Sequence, residues 1–419
     1  MSSHYTRVLS RPEFIALIAA LMALNALAID VMLPALPYMG EHLGIADENE
    51  RQYVIVAYMI GMGLAQVAFG PLTDRFGRRA PLLSGMGVYV LAAIAAAFAP
   101  NFVTLLILRF IQGLGAASVR VIATAVVRDR YSGREMAEVM SLTFMVFMAI
   151  PIIAPGIGQV LLLTGPWQSI FLFMGALAFA FWVWTYLRLP ETLHPEYRRA
   201  LSFGGVVEGF RLVFTNRVAI SYGLAGTFLF GALFGFISSA QQVYVDIYGL
   251  GVYFPVAFAG VAGLMAVSSF TNSRVVSRFG MRRLSHGAML VFTAVSALWL
   301  ILALNGEVPF WVFFGMLCII MFSFGWAASN MNSLSMEPLG AVAGTAASVF
   351  GFIQTVGGAL IGSYTGQQFN GTTVPVAAGY FAMGVLALIC ILVAEKGKLF
   401  GVGEQYAHGN AAAPAIDAH

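Results

Sequence analysis

Charge is what this chain has least of. Only 10% of its 419 residues are Asp, Glu, Lys or Arg, while 59% are hydrophobic; an average soluble domain carries about 25% charged residues. That scarcity excludes a water-soluble fold, which has no interior large enough for so much apolar surface. Lysine is nearly missing, confined to Lys396 and Lys398. A phosphate-binding loop of the form G-x-x-x-x-G-K-[ST] needs a lysine after glycine, and Gly397-Lys398-Leu399 breaks the pattern, so ATP is not expected as the fuel. H-E-x-x-H and G-x-S-x-G are both missing, and the six histidines are scattered outside the helices or near their ends. An enzyme reading has no residues to stand on. Cys318 and Cys390 both fall in apolar runs, which supports neither a disulfide framework nor a metal cluster. No cofactor and no metal are expected. The net charge of +3 is spread over loops, so no nucleic-acid partner is expected either.

Long apolar runs fill the chain instead. A helix crosses the hydrocarbon with about 20 residues, so this length holds twelve spans and leaves no room for a large soluble domain. Apolar runs between polar breaks predict helices near residues 14–38, 52–71, 81–99, 102–127, 137–163 and 168–188, then 218–247, 253–273, 284–304, 309–333, 340–369 and 374–394. The expected fold is an all-α membrane protein of twelve transmembrane helices in two six-helix bundles. The first bundle is residues 1–188, a polar linker 189–217, the second bundle 218–395 and a tail 396–419. The run from Phe14 to Met39 is too long for a signal-peptide core and is read as a retained helix.

With the amino terminus in the cytoplasm, nearly all of the 22 Lys and Arg residues fall in loops on that side. The opposite loops hold Arg51 beside Glu41, Asp47, Glu48, Glu50 and Glu307. The positive-inside rule then places both termini in the cytoplasm. An internal repeat supports two halves: Arg75-Phe76-Gly77-Arg78-Arg79 after helix 2 recurs as Arg278-Phe279-Gly280-Met281-Arg282 after helix 8. Parallel six-helix halves with a site between them at mid-membrane are the expected layout of a secondary transporter.

Three charges inside helices need explaining, because each costs about 2.5 to 3.5 kcal/mol at the bilayer centre. They are Asp30, Arg109 and Arg120. Counting from the helix ends at 1.5 Å per residue puts Asp30 and Arg109 both roughly 10 to 12 Å deep. A carboxylate that exchanges a proton beside a guanidinium is a workable coupling device. The alternatives are a structural ion pair, or an Arg109 satisfied by carbonyls and Gln112. Arg120 belongs either to the cytoplasmic vestibule or to a side chain that snorkels to the interface. Asp246, near the outer end of helix 7, reads as interfacial. Candidate cavity residues are Asn25, Tyr58, Gln112, Arg120, Met148, Phe234, Gln241, Trp326, Asn330 and Gln354, polar or aromatic groups able to accept amphipathic ligands. Each also has a structural reading. Helix 7 carries Gly223, Thr227, Gly231, Gly235 and Ser239 at four-residue steps, a stripe that lets another helix approach closely. Pro151 and Pro155 predict a bend in helix 5.

The loop Gly70-Pro71-Leu72-Thr73-Asp74-Arg75-Phe76-Gly77-Arg78-Arg79 combines glycines for a tight turn, an acid that can face a helix amino terminus, and arginines that can pair with acids such as Asp129. It reads as a latch on the cytoplasmic side, or as a basic loop that only sets topology. At Gly70, Asp74, Arg75, Gly77, Arg78 and Arg79 it resembles the G-x-L-x-D-R-x-G-R-R signature of the major facilitator superfamily. Leu108-Arg109-Phe110-Ile111-Gln112-Gly113 is similar to that family's helix 4 motif. The segment from Pro151 through Pro155 to Gly158 is similar to the helix 5 motif of its antiporters, although Gln159 stands where many relatives carry a second glycine. Asp30-Val31-Met32-Leu33-Pro34-Ala35-Leu36-Pro37, Trp167-Gln168-Ser169-Ile170-Phe171 and Pro190-Glu191-Thr192-Leu193 resemble the bicyclomycin-resistance type, Bcr/CflA, of drug:proton antiporters. The resemblance covers essentially the whole chain. It implies a proton-coupled exporter of small hydrophobic or amphipathic compounds in a bacterial inner membrane, with Asp30 carrying the proton and Arg109 tuning it. An exporter dedicated to one endogenous metabolite is the alternative.

Overall fold

The computed structural model describes residues 9–131, 133–194, 196 and 203–400, and every regular element among them is helical. The spans are α1 (Arg11–His42), α2 (Glu48–Phe76), α3 (Arg79–Ala96), α4 (Phe102–Arg130), α5 (Gly133–Thr164), α6 (Gln168–Arg188), α7 (Arg217–Ile247), α8 (Gly251–Phe279), α9 (Met281–Asn305), α10 (Phe310–Leu339), α11 (Thr345–Gln367) and α12 (Val374–Ala394). Eleven are long and apolar enough to cross a membrane, and α5 is a helix of 32 residues whose apolar stretch is Met148–Thr164. Side-chain caps start several of them: Asn101 accepts from the Thr104 amide at 2.9 Å ahead of α4, and Asn216 from the Ala219 amide at 3.0 Å ahead of α7.

Two elements depart from the sequence reading. The first span is not one continuous helix. Its α-helical hydrogen bonding runs from Arg11 to Asp30, gives way to a 3-10 turn over Leu33–Ala35, and resumes over Leu36–His42. Pro34 and Pro37 are the cause, since each lacks the N–H that an α-helix would send back four residues, to Asp30 and to Leu33. The second departure is in the linker expected to be polar. It contains a helix, Phe203–Thr215, whose Val213 is buried with Ala346, Val349 and Phe350 of the second half. Apolar residues at Phe203, Val207, Phe210 and Phe214 keep helical spacing inside a polar stretch, which hides them from a search for long apolar runs. Residues 197–202 of the expected linker and 401–419 of the expected tail lie outside the described residues.

The packing repeats with the sequence. In the first half α2 and α3 pack on α4, α3 on α6 and α1 on α5; in the second, α8 and α9 pack on α10, α9 on α12 and α7 on α11. The halves meet along α2 with α11 and α5 with α8. The small-residue stripe of α7 serves as expected: Gly223 faces Phe350, Gly231 faces Ile361 and Gly235 faces Gly362, all on α11.

Polar bonds between the halves gather at the face opposite the arginine loops. Asn49 donates to the Gln367 and Phe369 carbonyls at 3.2 and 3.0 Å, and its side-chain oxygen accepts from Gln242 at 2.7 Å. Gln52 donates to Gln242 at 2.6 Å and to the Gly366 carbonyl at 3.1 Å. Midway along, Gln66 reaches Thr355 at 3.4 Å. These bonds latch the face opposite the arginine loops. A hydrogen bond contributes about 1 kcal/mol net, so Asn49→Ala with Gln242→Ala is expected to shift the open–closed balance at that face by about tenfold or more. Spin labels at the exposed positions Glu50 and Thr372 test this: a new, longer distance population is expected in the double variant, and an unaltered distribution contradicts it.

Candidate functional site: the break in α1 and the groups around it

Asp30 occupies the point where α1 loses its helical bonding. The residue is 3% exposed, and it is the only Asp or Glu in the buried class among the described residues. Its carboxyl group makes no hydrogen bond and no ion pair with any described residue. On the other side of the break, Gly158 of α5 packs onto the Val31 backbone carbonyl so closely that any side chain there meets it and the Pro34 ring. The helix 5 motif thus ends on a glycine because α1 passes where a Cβ would stand.

Arg109 does not pair with Asp30. Its guanidinium, fully buried, donates to the Val54 carbonyl at 3.1 Å, to the Ala28 carbonyl at 3.0 Å and to the Gln112 side-chain oxygen at 2.6 Å. It also lies over the Tyr58 ring at 4.5 Å and near Phe171 at 5.9 Å. Carbonyls and Gln112 satisfy it, as one of the sequence alternatives holds, and a fixed positive charge stands two residues along the backbone from a partnerless acid. Tyr58 in turn donates to Asn25 at 3.2 Å, so Asn25, Tyr58, Arg109 and Gln112 form one cluster.

Arg120 lies eleven residues beyond Arg109 on α4, which at 3.6 residues per turn puts both on nearly the same face. Arg120 is nevertheless exposed. Its exposure puts open space beside the half of α4 that leads to the arginine-bearing face. The other candidates divide. Trp326 donates to Thr271 at 3.0 Å, and Asn330 to Asn272 at 2.8 Å and to the Trp326 carbonyl at 2.8 Å, a second polar cluster between α8 and α10. Gln354 and Phe234 sit at the α7–α11 contact beside Gly226 and Gly358, and Met148 is half-buried on α5. Gln241, expected among the cavity residues, neighbours the latch residue Gln242. It ends the α-helical part of α7, ahead of the π-turn over Gln242–Ile247, and donates to Asp246 at 3.5 Å.

The Gly70–Arg79 segment, expected as a loop, is helical through Phe76 as the last turns of α2, with only Gly77 and Arg78 between it and α3, and it is tied down within its own half. Arg78, only 4% exposed, donates to Asp74 at 2.7 Å, to Thr73 at 3.0 Å and to Asp129 at 2.9 Å. Gly77 holds φ at 87°, a left-handed conformation that favours glycine. It leaves space for the Glu191 carboxylate, which accepts from the Arg78 and Arg79 amides at 2.8 and 3.1 Å. Thr192 completes the knot by donating to Asp129 at 3.1 Å. Gly70 faces Ser348 of α11, the loop's approach to the other half.

A family model described as the Major Facilitator Superfamily matches residues 18–362. The chain belongs to the major facilitator superfamily. It is 30% identical over 388 residues to the MFS-type transporter YdgK of Bacillus subtilis, covering 91% of this chain and 95% of that one. It is 29% identical to the bicyclomycin resistance protein homolog of Haemophilus influenzae, over 90% of this chain and 94% of the relative. The multidrug resistance protein MdtL of Klebsiella pneumoniae is 30% identical over 81% of this chain and 85% of its own. Among solved structures, the xylose transporter XylE from E. coli superposes with a TM-score of 0.70 at 13% identity, over 91% of this chain and 97% of XylE. The human organic anion transporter MFSD10 gives 0.65 at 16% identity, over 91% and 98%. These two share the fold. The protein is a multi-pass membrane transporter of this superfamily, resembling its bicyclomycin-resistance branch.

Within that superfamily frame, the second half carries a network that its weaker loop copy did not announce. Arg282 donates to Glu395 at 2.8 Å and to Glu337 at 2.9 Å. Tyr222 donates to the same Glu395 oxygen at 2.6 Å and meets His286 Nε2 at 2.9 Å, while the Phe400 amide donates to His286 Nδ1 at 3.1 Å. Each half thus fixes an arginine after a positive-φ glycine, Gly77 or Gly280, to acids at the ends of other helices. Glu337 and Glu395 lie 55 and 113 residues from Arg282, separations that give no spacing signal, and the Pro190–Leu193 motif marks Glu191 without showing its partner 113 residues away at Arg78.

The α5–α1 contact makes a paired prediction. Gly158→Ala is expected to lower stability by about 1 to 3 kcal/mol through overpacking, read as a lower thermal midpoint in detergent. Gly156→Ala, where a Cβ meets nothing within 4 Å, is expected to leave it unchanged; equal effects at both positions contradict the contact.

Proposed function

We propose that the protein exports small hydrophobic or amphipathic compounds, antibiotics among them, in exchange for protons, by alternating access and without ATP. The observation that carries this reading is the isolation of Asp30, a buried carboxyl group with no hydrogen bond or ion pair. A structural acid at that depth would be paired, because an unpaired charge in a low-dielectric interior is costly. A group that takes up and gives off a proton has to exist without a permanent partner. Arg109 stands within reach of the same backbone segment, held by neutral carbonyls that it can leave. When the proton departs, the carboxylate has a cation to turn to; when it returns, Arg109 falls back on Ala28 and Val54. That exchange reshapes the break in α1 against Gly158 of α5, which links protonation to the packing of the first half.

Substrate and proton then compete for one protonation state while the halves rock about the central cavity. Asn25, Tyr58 and Arg120 line the substrate path from the open face on this reading. The Gly70–Arg79 loop, braced by Asp129 and Glu191, closes that face against α11 when the opposite latch of Asn49, Gln52 and Gln242 parts. The basic face is taken as cytoplasmic, which puts both termini inside, and the relatives named for bicyclomycin and multidrug resistance favour a bacterial inner membrane and drug-like substrates.

The test is proton release from purified protein in weakly buffered detergent on adding candidate drugs. Substrate-evoked release is expected from the parent protein and not from Asp30→Asn, with binding retained in both. Unchanged release from Asp30→Asn moves the proton to another group, and no release from the parent on adding a ligand shown to bind removes proton antiport altogether.

A further inference from the structure

A groove lies on the lipid-facing side of the second half, between α8 and α9. These two helices barely touch each other and both pack on α10, which therefore forms the floor. The cavity measures about 470 Å³, and its walls include Leu264 of α8, Ala288 and Val291 of α9, and Ile319, Phe322 and Trp326 of α10. The flanks are exposed and apolar: Val267 and Phe270 on α8, Leu290 and Leu298 on α9. Surfaces of this kind face hydrocarbon.

The end of the groove at the arginine-bearing face is cationic. Arg283, the third residue of α9, belongs to the lining, is exposed, and makes no hydrogen bond, ion pair or ring contact with any described residue. Arg274 and Arg278 are exposed in the last two turns of α8, and their guanidinium groups touch only the rings of Phe270 and Phe279, at 4.9 and 5.6 Å. Among the described residues none of the three meets an acid. Their neighbour Arg282 is different, since Glu337 and Glu395 take it up. Setting topology needs basic residues in this loop, but it does not need an apolar slot beneath them.

An apolar slot within the bilayer, topped by unneutralised guanidinium groups at the interface, complements a molecule with an anionic phosphate and a long hydrocarbon tail. We propose that the α8–α9 groove binds one anionic phospholipid, its phosphate held by Arg278 and Arg283 and one acyl chain lying along Ala288, Val291, Ile319 and Phe322. Trp326, fixed by its bond to Thr271, closes the wall between this lipid and the polar cluster of Asn272 and Asn330. The lipid would therefore brace α8 against α10.

Delipidated full-length protein in detergent is titrated with phosphatidylglycerol or with phosphatidylcholine of identical chains, and bound lipid is counted by native mass spectrometry. One phosphatidylglycerol is expected to be retained in preference to phosphatidylcholine. Arg278→Gln with Arg283→Gln is expected to weaken that retention by about tenfold or more, while Arg217→Gln, an exposed arginine elsewhere on the same face, leaves it unchanged. Gly287→Phe points a ring into the slot from a position where a Cβ meets nothing within 4 Å, and is expected to lower retention of both lipids. Equal retention of the two lipids, or no change in the double variant, overturns the proposal. Displacement of phosphatidylglycerol by glycerol 3-phosphate shows a site for soluble anions instead and overturns it as well, and normal retention in Gly287→Phe removes the acyl chain from the groove. Each variant is checked for a single gel-filtration peak and an unshifted thermal midpoint before its lipid binding is read.

Discussion

Pro34 has no N–H to offer the Asp30 carbonyl, and the rest of the first bundle is arranged around the place where that bond is missing. A second proline at Pro37 keeps α1 from recovering its regular pitch until the last turns before His42. The break opens backbone polar groups within the membrane, which is tolerated only where protein surrounds them. Protein does surround them: Asp30 to Leu36 are buried throughout, Gly158 of α5 closes on the Val31 carbonyl, and Arg109 reaches in from α4 to the Ala28 carbonyl one turn earlier. A regular helix here would leave Gly158 without a reason to be bare and Arg109 without one of its three acceptors.

The same economy of backbone acceptors recurs at the loops. Glu191 serves as an external cap for the start of α3, so the helix that follows Gly77 is anchored by a residue from beyond α6. Arg282 and Glu395 tie the start of α9 to the end of α12. These ties lie inside each half, while Asn49, Gln52 and Gln242 bond the halves at the opposite face and Gln66 bonds them midway.

Most of the architecture is legible in the sequence because the bilayer imposes a length on every span and a charge bias on every loop. Apolar runs locate the twelve helices with ends off by up to six residues, most at the arginine-bearing ends of α2, α8 and α10, and the repeat of Arg75–Arg79 in Arg278–Arg282 anticipates the repeated packing. What is not legible depends on contacts distant in sequence or on irregular backbone. The prolines after Asp30 were visible, yet the apolar run around them masked the break. The linker helix was hidden by polar residues interleaved at its own helical period. The chemistry of Arg109 and Asp30 shows the same limit: depth counting brings them to one level, but only the fold shows that carbonyls and Gln112 occupy the arginine and leave the acid alone.

The central claim is that one proton-exchanging carboxyl group couples transport to the pH difference without being needed for the movement of the halves. Reconstituted protein measures this directly, by comparing drug accumulation driven by an imposed pH gradient with exchange of labelled for unlabelled drug at equilibrium. The account predicts that Asp30→Asn loses gradient-driven accumulation and keeps equilibrium exchange. Accumulation by Asp30→Asn equal to that of the parent protein would contradict it.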